Sequence, residues 1–254
     1  MATRARRKRS NIPPDIQDVG ASGKINILVY GNPGVGKTRL IGSSPVPDRT
    51  LIIRPPTDHT DSIRGTGVKE RIIRDWTKMF ETLEYLRETN GKDWDWVWLD
   101  SISLFQDTGL DDIWAGVIEK KPARKEYGLD RSEYGVNMFR LGQWVRHIVG
   151  MEAFHFGITA HPAEMDDPFG DGGDYLLMPY IQGKNMSPKI CGYMNIVAYM
   201  DVRRNKKNGK MVRTLYTNEG DKAYGKDQFN ALPEGRMNYP TIPKLLELIY
   251  GDDQ

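Results

Sequence analysis

One stretch of the sequence combines glycines, a lysine and a threonine at the spacing of a phosphate-binding loop. Residues 31–38 read Gly-Asn-Pro-Gly-Val-Gly-Lys-Thr and match the pattern G-x-x-x-x-G-K-[ST] in full. Glycines let consecutive backbone N–H groups converge on phosphate oxygens, Lys37 can reach the β- and γ-phosphates, and the Thr38 hydroxyl can bind Mg²⁺. The loop predicts a nucleotide site formed by Gly31, Asn32, Pro33, Gly34, Val35, Gly36, Lys37, Thr38 and Arg39.

A carboxylate at the end of an apolar run predicts the second half of this site. Asp100 follows Trp96-Val-Trp-Leu99, so it lies at the tip of a predicted strand, where it can hold Mg²⁺ through water. The same position also suits an N-cap of the helix that follows, and the two roles are compatible. We therefore predict Thr38 and Asp100 as the magnesium residues.

The residue after Asp100 helps to distinguish the classes of nucleoside triphosphatase. A glutamate there would indicate the AAA+ branch, whereas this sequence has Ser101, and an Asp-Ser pair after an apolar strand resembles the RecA/KaiC branch. A GTPase is not favoured, because the Asn-Lys-x-Asp guanine signature is missing and Asn205-Lys-Lys-Asn208 lacks the acid.

Taken together, these features resemble the phage-encoded RecA-like ATP-binding proteins. Members of this group act as minimal recombinases or Sak-type single-strand annealing proteins, and they include AAA-type nucleotide-binding phage proteins. The resemblance covers residues 24–235 and rests on residues 31–38, on Leu99-Asp100-Ser101 and on Thr159-Ala160-His161. It implies binding of ATP and Mg²⁺, slow DNA-stimulated hydrolysis, binding of single-stranded DNA, and self-assembly into a ring or filament in the cytoplasm (of the host, if the protein is phage-encoded).

The resemblance also assigns catalytic roles to residues outside the loop. His161 ends a strand where this branch places a polar sensor of the γ-phosphate. A glutamate that polarises the attacking water is usual near the end of the second strand, but none occurs between Pro45 and Lys69. Asp58 or Asp61 is the shorter substitute, with Asp58 preferred, or hydrolysis is very slow.

A cation from a neighbouring protomer is a further expectation of this branch. ATP commonly lies between two protomers there, and one protomer donates a basic residue to the other's nucleotide. Lys222 and Lys226, which follow the late strands, are the candidates. The predicted catalytic set is therefore Lys37, Asp100, Asp58, His161 and Lys226.

The pattern of apolar residues predicts the elements that position these side chains. Strands are predicted at 25–30, 50–54, 95–100, 153–159, 195–202 and 211–217, and a long loop at 161–186. Helices are predicted around 76–86, from 101, from the capping residue Ser132 to Gly150, and at 243–250. This order predicts an α/β fold, a RecA-like P-loop core with a mainly parallel sheet flanked by helices and a β-hairpin near the C-terminus.

Charge is unevenly distributed along the chain. The 254 residues include 36 Lys and Arg against 34 Asp and Glu, a net charge of +2. Residues 1–22 are predicted to be a disordered basic tail and 23–254 to be one ATPase domain, and no apolar run approaches the roughly 20 residues of a membrane helix. Basic clusters near the N-terminus, at 120–131 and at 203–213 are candidate DNA contacts, as are the aromatic residues Phe169, Tyr175 and Tyr180 of the long loop.

Two other functions remain open at this stage. A P-loop kinase of a small substrate would need an arginine-rich lid, and the basic residues do not group in that way. A non-enzymatic scaffold gated by nucleotide is favoured by the missing glutamate. The single cysteine, Cys191, excludes an intramolecular disulfide and suits a reducing compartment.

Overall fold

The computed structural model describes residues 23–166, 175–206, 208–218 and 222–251. The predicted basic tail and the middle of the predicted long loop, with Phe169, lie outside the described residues. The strands are β1 Asn26–Tyr30, β2 Thr50–Arg54, β3 Lys69–Ile72, β4 Trp96–Leu99, β5 His155–Ala160, β6 Pro162–Asp166, β7 Tyr175–Pro179, β8 Ile196–Arg204, β9 Met211–Tyr216, β10 Lys226–Asp227 and β11 Arg236–Asn238. The helices are α1 Lys37–Ile41, α2 Trp76–Glu88, α3 Ile102–Lys120, α4 Arg131–Val149, α5 Met186–Tyr193 and α6 Ile242–Tyr250.

A mainly parallel sheet organises the described part of the chain. Its strands follow the order β11-β9-β8-β1-β5-β4-β2-β3, and β10 pairs with β8. The pairs from β8 to β3 are parallel, whereas β9 is antiparallel to β8. Because β1, β2, β4 and β5 are parallel, their carboxyl ends meet at one edge of the sheet. The predicted α/β fold class, including the β8–β9 hairpin near the C-terminus, is confirmed.

The sheet is buried on both faces. Along β1, Leu28 and Tyr30 join the core that contains residues of α2, α3 and α4, whereas Ile27 and Val29 join the core that contains residues of α1 and α6. Successive side chains of a strand point to opposite faces, so a strand covered on both sides reads as a continuous apolar run. This is why the sequence pattern located these central strands within about two residues.

The prediction of a loop over 161–186 was wrong. Strands β6 and β7 lie within this range and pair antiparallel with each other, and α5 begins at Met186. The acidic residues of β6 and the sequence rich in Gly and Asp that follows it obscured the strand pattern, although in β7 Leu176 and Met178 are buried. Pairing between two adjacent strands needs no continuous apolar run, because each strand buries only one face.

The other differences concern edge strands and helix ends. Strand β3 was missed because its sequence, Lys-Glu-Arg-Ile, belongs to a largely exposed strand at the sheet edge. Helix α4 begins at Arg131 rather than after Ser132, because Asp130 and Glu133 form a capping box. Within the described residues, no helix is both long and apolar enough to cross a membrane.

Candidate functional site

The phosphate-binding loop joins β1 to α1 and has the backbone conformation that its glycines allow. Gly36 has φ 110°, a left-handed conformation that side chains other than glycine rarely adopt. At Gly31 a Cβ atom would lie 2.2 Å from the backbone oxygen of Met200, so only glycine permits this close approach to β8. Buried Val35 packs into the core that contains α1 and α6. The loop is thus fixed between β1 and the neighbouring β8.

Lys37 folds back across the loop in this structure. Its ammonium Nζ donates hydrogen bonds to the backbone oxygens of Gly31, at 2.7 Å, and Asn32, at 3.1 Å. Burial lowers the pKa of Lys37, and the carboxylates of Asp100 and Asp58 oppose that shift. The ammonium is therefore held beside the loop, where phosphate oxygens can replace the two carbonyl oxygens as its partners.

The Asp100 carboxylate joins the loop to the sheet. Its Oδ2 accepts a hydrogen bond from the Thr38 hydroxyl at 2.9 Å, and its Oδ1 accepts one from the Thr159 hydroxyl of β5. Burial, with a smaller contribution from the charge of Asp58, raises the pKa of Asp100 to about 6, although the two threonine hydrogen bonds and the charge of Lys37 oppose the shift. A bound cation would stabilise the ionised form of such a buried carboxylate.

The oxygen atoms at this point suit magnesium. Mg²⁺ prefers oxygen ligands and keeps several of its waters, so one hydroxyl and one carboxylate, with phosphate oxygens, form an appropriate set. Thr38 and Asp100 supply that hydroxyl and that carboxylate, and the adjacent Ser101 hydroxyl is buried with no hydrogen-bond partner in the structure. The residues present therefore fit the ion.

A cavity of about 290 Å³ opens over these residues at the carboxyl edge of the sheet. It is lined by Pro33, Gly34, Gly36, Lys37, Thr38, Arg39, Asp58, His59, Ser62, Asp100, Ser101 and His161. Four of the five predicted catalytic residues thus meet around one cavity, with most of the predicted nucleotide-binding residues. Gly31, Asn32 and Val35 are not among the residues that line the cavity.

A buried arginine organises the segment that carries Asp58. The Arg54 guanidinium forms an ion pair with Glu70 of β3 at 2.7 Å. It also donates to the backbone oxygens of Pro55, at 3.3 Å, and Asp58, at 2.7 Å. The pair lowers the pKa of Glu70, chiefly through the hydrogen bond from Arg54. The chain after β2 therefore turns back over the cavity and brings the Asp58 carboxylate close enough to influence Lys37 and Asp100.

His161 follows the last residue of β5 and is fixed through its backbone. Its N–H donates to Ser103 Oγ at 2.9 Å, and its carbonyl oxygen accepts from Tyr180 N–H at 2.7 Å. Burial lowers the pKa of the imidazole and the charge of Lys37 lowers it further, while Asp58 and Asp107 oppose the shift. A neutral imidazole at the cavity wall can accept or donate one hydrogen bond there.

Lys226 lies elsewhere. Its Nζ donates to the backbone oxygens of Met194, at 2.7 Å, and Gly192, at 3.3 Å, so it holds the carboxyl end of α5. It does not line the cavity, and Lys222 is exposed. Any contact of Lys226 with a nucleotide would be with that of another protomer, after it left these two carbonyl oxygens.

His59, Ser62 and Arg213 were not predicted from the sequence to belong to the nucleotide site. His59 and Ser62 line the cavity because the segment after β2 folds over it, and no local motif announces that fold. Arg213 of β9 was counted only as part of a basic cluster, although its Nε donates to the backbone oxygen of Val35 at 3.1 Å. Val35 and Arg213 are 178 residues apart in the sequence, so no local pattern predicts this contact.

A model of one known protein family matches most of this chain. The family model AAA_24, described as AAA domain, matches residues 23–229. Among solved structures, the chain is similar to the RadB recombinase, with 14% identity, a TM-score of 0.47, and 84% of this chain and 86% of that chain covered. It is also similar to a KaiC-like protein from the hyperthermophilic archaeon Pyrococcus horikoshii OT3, with 14% identity, a TM-score of 0.40, and 85% and 89% covered. No curated protein matches the chain.

Proposed function

This chain belongs to the AAA_24 family of AAA domains, and from that premise we propose that it is an ATPase that acts on single-stranded DNA in recombination or strand annealing. Family membership makes it a nucleotide-binding ATPase domain. The observation that carries the proposed ATP hydrolysis is the assembly of Lys37, Thr38, Asp100, Asp58 and His161 around one cavity. In the proposed mechanism this set supplies a cation, two magnesium residues, a base and a sensor.

In this proposal the loop binds the phosphates and its neighbours complete the charge balance. Backbone N–H groups of residues 34–38 surround the β-phosphate, and Lys37 moves from the backbone oxygens of Gly31 and Asn32 to the β- and γ-phosphates. Thr38 and Asp100 would hold Mg²⁺, which when bound neutralises charge on the same phosphates. The buried position of Asp100 strengthens that interaction because few waters compete with it.

Asp58 is the proposed residue that orients and deprotonates the attacking water. Glu70, the nearest glutamate to β2 in the sequence, is bound to Arg54 and does not line the cavity. Asp58 does line it, and its charge acts on Lys37, Asp100 and His161. Because an aspartate reaches less far than a glutamate, we expect slow hydrolysis.

His161 is the proposed sensor of the γ-phosphate. It lies between the cavity and the β6–β7 hairpin, whose base it forms with Tyr180. A hydrogen bond from the imidazole to the γ-phosphate would be lost on hydrolysis, and the hairpin would then respond. His161→Ala should bind ATP normally, and its turnover should no longer respond to single-stranded DNA.

Single-stranded DNA and further copies of the chain are the proposed partners. Lys120, Lys121 and Lys125 are exposed at the end of α3 and after it, and Arg204, Lys206 and Lys210 are exposed near the tip of the β8–β9 hairpin. Such clusters attract phosphates whatever the net charge of the molecule, since each contact is local. Assembly as a ring or filament would bring Lys226 of one protomer toward the nucleotide of the next.

The test is ATP turnover with and without single-stranded DNA. We expect slow basal turnover that DNA increases severalfold, and none in Lys37→Ala, with Lys69→Ala, an exposed lysine on β3, as the matched control. Transfer of phosphate to a metabolite instead would indicate a kinase. ATP binding without turnover would indicate a nucleotide-gated scaffold, which the absence of a glutamate among the cavity-lining residues keeps as the second candidate.

A further inference from the structure

Arg213 touches the phosphate-binding loop from the side opposite the catalytic residues. Its Nε donates to the Val35 backbone oxygen at 3.1 Å. The side chain also packs against the next residue, since a Cβ atom built on Gly36 would lie 2.8 Å from the same Nε. The guanidinium thus lies against the Val35–Gly36 peptide, at the centre of the loop.

The remaining guanidinium nitrogens of Arg213 are available. Within the described ranges, the only hydrogen bond of its side chain is the one to Val35, and no carboxylate lies within 4 Å of it. Neighbouring arginines differ in this respect: Arg203 pairs with Asp201 and Arg236 pairs with Glu234. Arg213 is half-buried, so a free charge at this position has lost part of its hydration. An anionic or polar ligand would replace the hydrogen bonds to water that the guanidinium lost on burial.

The order of strands decides which end of a nucleotide Arg213 faces. Asp58, Asp100 and His161 follow β2, β4 and β5, which all lie on one side of β1. These residues must surround the γ-phosphate if hydrolysis occurs there. The nucleoside end then extends to the other side of β1, where β8 and β9 lie and where Arg213 stands.

We propose that Arg213 is a nucleotide-contacting residue that binds the nucleoside end of ATP, through the ribose or the base. The inference rests on the proposed ATP binding and extends it, because it adds a second cation from the C-terminal hairpin to the loop's own lysine. It also makes β9 a direct link between the nucleotide and the basic tip of the β8–β9 hairpin.

The experiment is calorimetric titration of the full chain with three ligands in the presence of Mg²⁺: ATP, ADP and inorganic tripolyphosphate. Arg213→Ala should lower the affinity for ATP and for ADP about tenfold, the scale of one charge-assisted hydrogen bond. The affinity for tripolyphosphate should stay within about twofold of the wild-type value. Arg213→Gln keeps a donor for the Val35 oxygen and should show the same selective loss. Arg236→Ala, an exposed arginine on the adjacent β11, is the matched control and should bind all three ligands normally.

The outcomes separate this inference from the proposed function. Equal weakening of all three ligands in both variants would mean that Arg213 only supports the shape of the loop, and the inference would be wrong. Unchanged binding of ATP and ADP would also overturn it. If the wild-type chain bound neither ATP nor tripolyphosphate, the proposed function itself would fail.

Discussion

At the scale of single residues, the two aspartates after β2 show how folding separates equivalent candidates. Asp58 lines the cavity with Lys37 and Asp100, whereas Asp61 is exposed and pairs with Arg64. The two carboxylates are three residues apart, and the sequence treats them almost alike. The hydrogen bond from the Arg54 guanidinium to the Asp58 backbone oxygen holds this segment so that Asp58 lies at the cavity.

We therefore predict that Asp58→Asn lowers kcat for ATP by about a hundredfold or more while the affinity for ATP changes little. The amide keeps the size of the side chain and removes its ability to accept a proton. Steady-state turnover and equilibrium ATP binding measure the two quantities. Asp61→Asn is the matched control, and a comparable loss of kcat in both variants would contradict the assignment.

His155 offers a residue-scale prediction about stability. Its Nδ1 accepts a hydrogen bond from Ile25 N–H at 3.2 Å, and its ring stacks on Trp96 with centroids 4.5 Å apart. Burial lowers the pKa of His155 to about 4, with a smaller contribution from Lys24, and Asp95 opposes the shift. The neutral imidazole is therefore the form that the folded chain accommodates.

Because the folded pKa lies below the unfolded value of 6.5, the unfolded chain binds more protons between pH 6.5 and 4. The free energy of unfolding should fall as the pH drops through this window, by about 3 kcal/mol at most from this one group. Denaturant titrations at several pH values measure the effect. His155→Gln should reduce the slope, His147→Gln, an exposed histidine on α4, should not, and equal slopes in all three proteins would refute the prediction.

At the scale of elements, helix α3 connects Asp100 to the β6–β7 hairpin. The helix begins directly after Asp100 and Ser101. Ser103 on its first turn accepts from His161 N–H at 2.9 Å and donates to the Tyr180 backbone oxygen at 2.7 Å. One buried hydroxyl thus joins both ends of the hairpin to the segment that follows Asp100.

Ser103→Ala should leave the His161 N–H and the Tyr180 carbonyl oxygen without this partner. We expect the free energy of unfolding to fall by about 1–3 kcal/mol. We expect faster hydrogen exchange of the hairpin amides, a smaller stimulation of turnover by DNA, and unchanged affinity for ATP. Ser132→Ala, an exposed serine on α4, is the control. Exchange protection equal to that of the wild-type protein would show that the hairpin does not depend on Ser103.

At the scale of the whole molecule, the net charge hides two opposite parts. The five basic residues Arg4, Arg6, Arg7, Lys8 and Arg9 account for more than the total of +2, and the rest of the chain carries −3. An acidic body repels DNA at long range, so attraction depends on local basic clusters and on the basic N-terminal segment.

Replacement of those five residues by glutamine should weaken binding to single-stranded DNA at low salt. It should also lower the slope of log K against log salt by up to about 3.5, since each phosphate contact on a single strand contributes about 0.7. Fluorescence anisotropy over a range of salt concentrations measures both quantities. A permuted segment of the same composition should bind like the wild-type sequence, and an unchanged slope in the glutamine variant would exclude this segment from the DNA contacts.

The sequence by itself determined the features whose physics is local. A phosphate-binding loop needs eight consecutive residues and two flanking elements. The stretch 31–38 and the strand before it can therefore be predicted without knowledge of any tertiary contact. The strand that ends at Asp100 is likewise legible, because burial on both faces gives it a continuous apolar run. The core strands and the class of the fold followed from the same signal.

Only the tertiary structure decided which distant residues join the loop. Thr38 and Asp100 are 62 residues apart, and Val35 and Arg213 are 178 apart, so the order of the strands brings them together. The same order, with the hydrogen bonds of Lys226 to the end of α5, places Lys226 outside the cavity of its own chain, and its contact with the nucleotide of a neighbouring protomer stays a prediction. Neighbouring strands in a sheet are chosen by packing over the whole domain, and a local pattern of residues does not encode that choice.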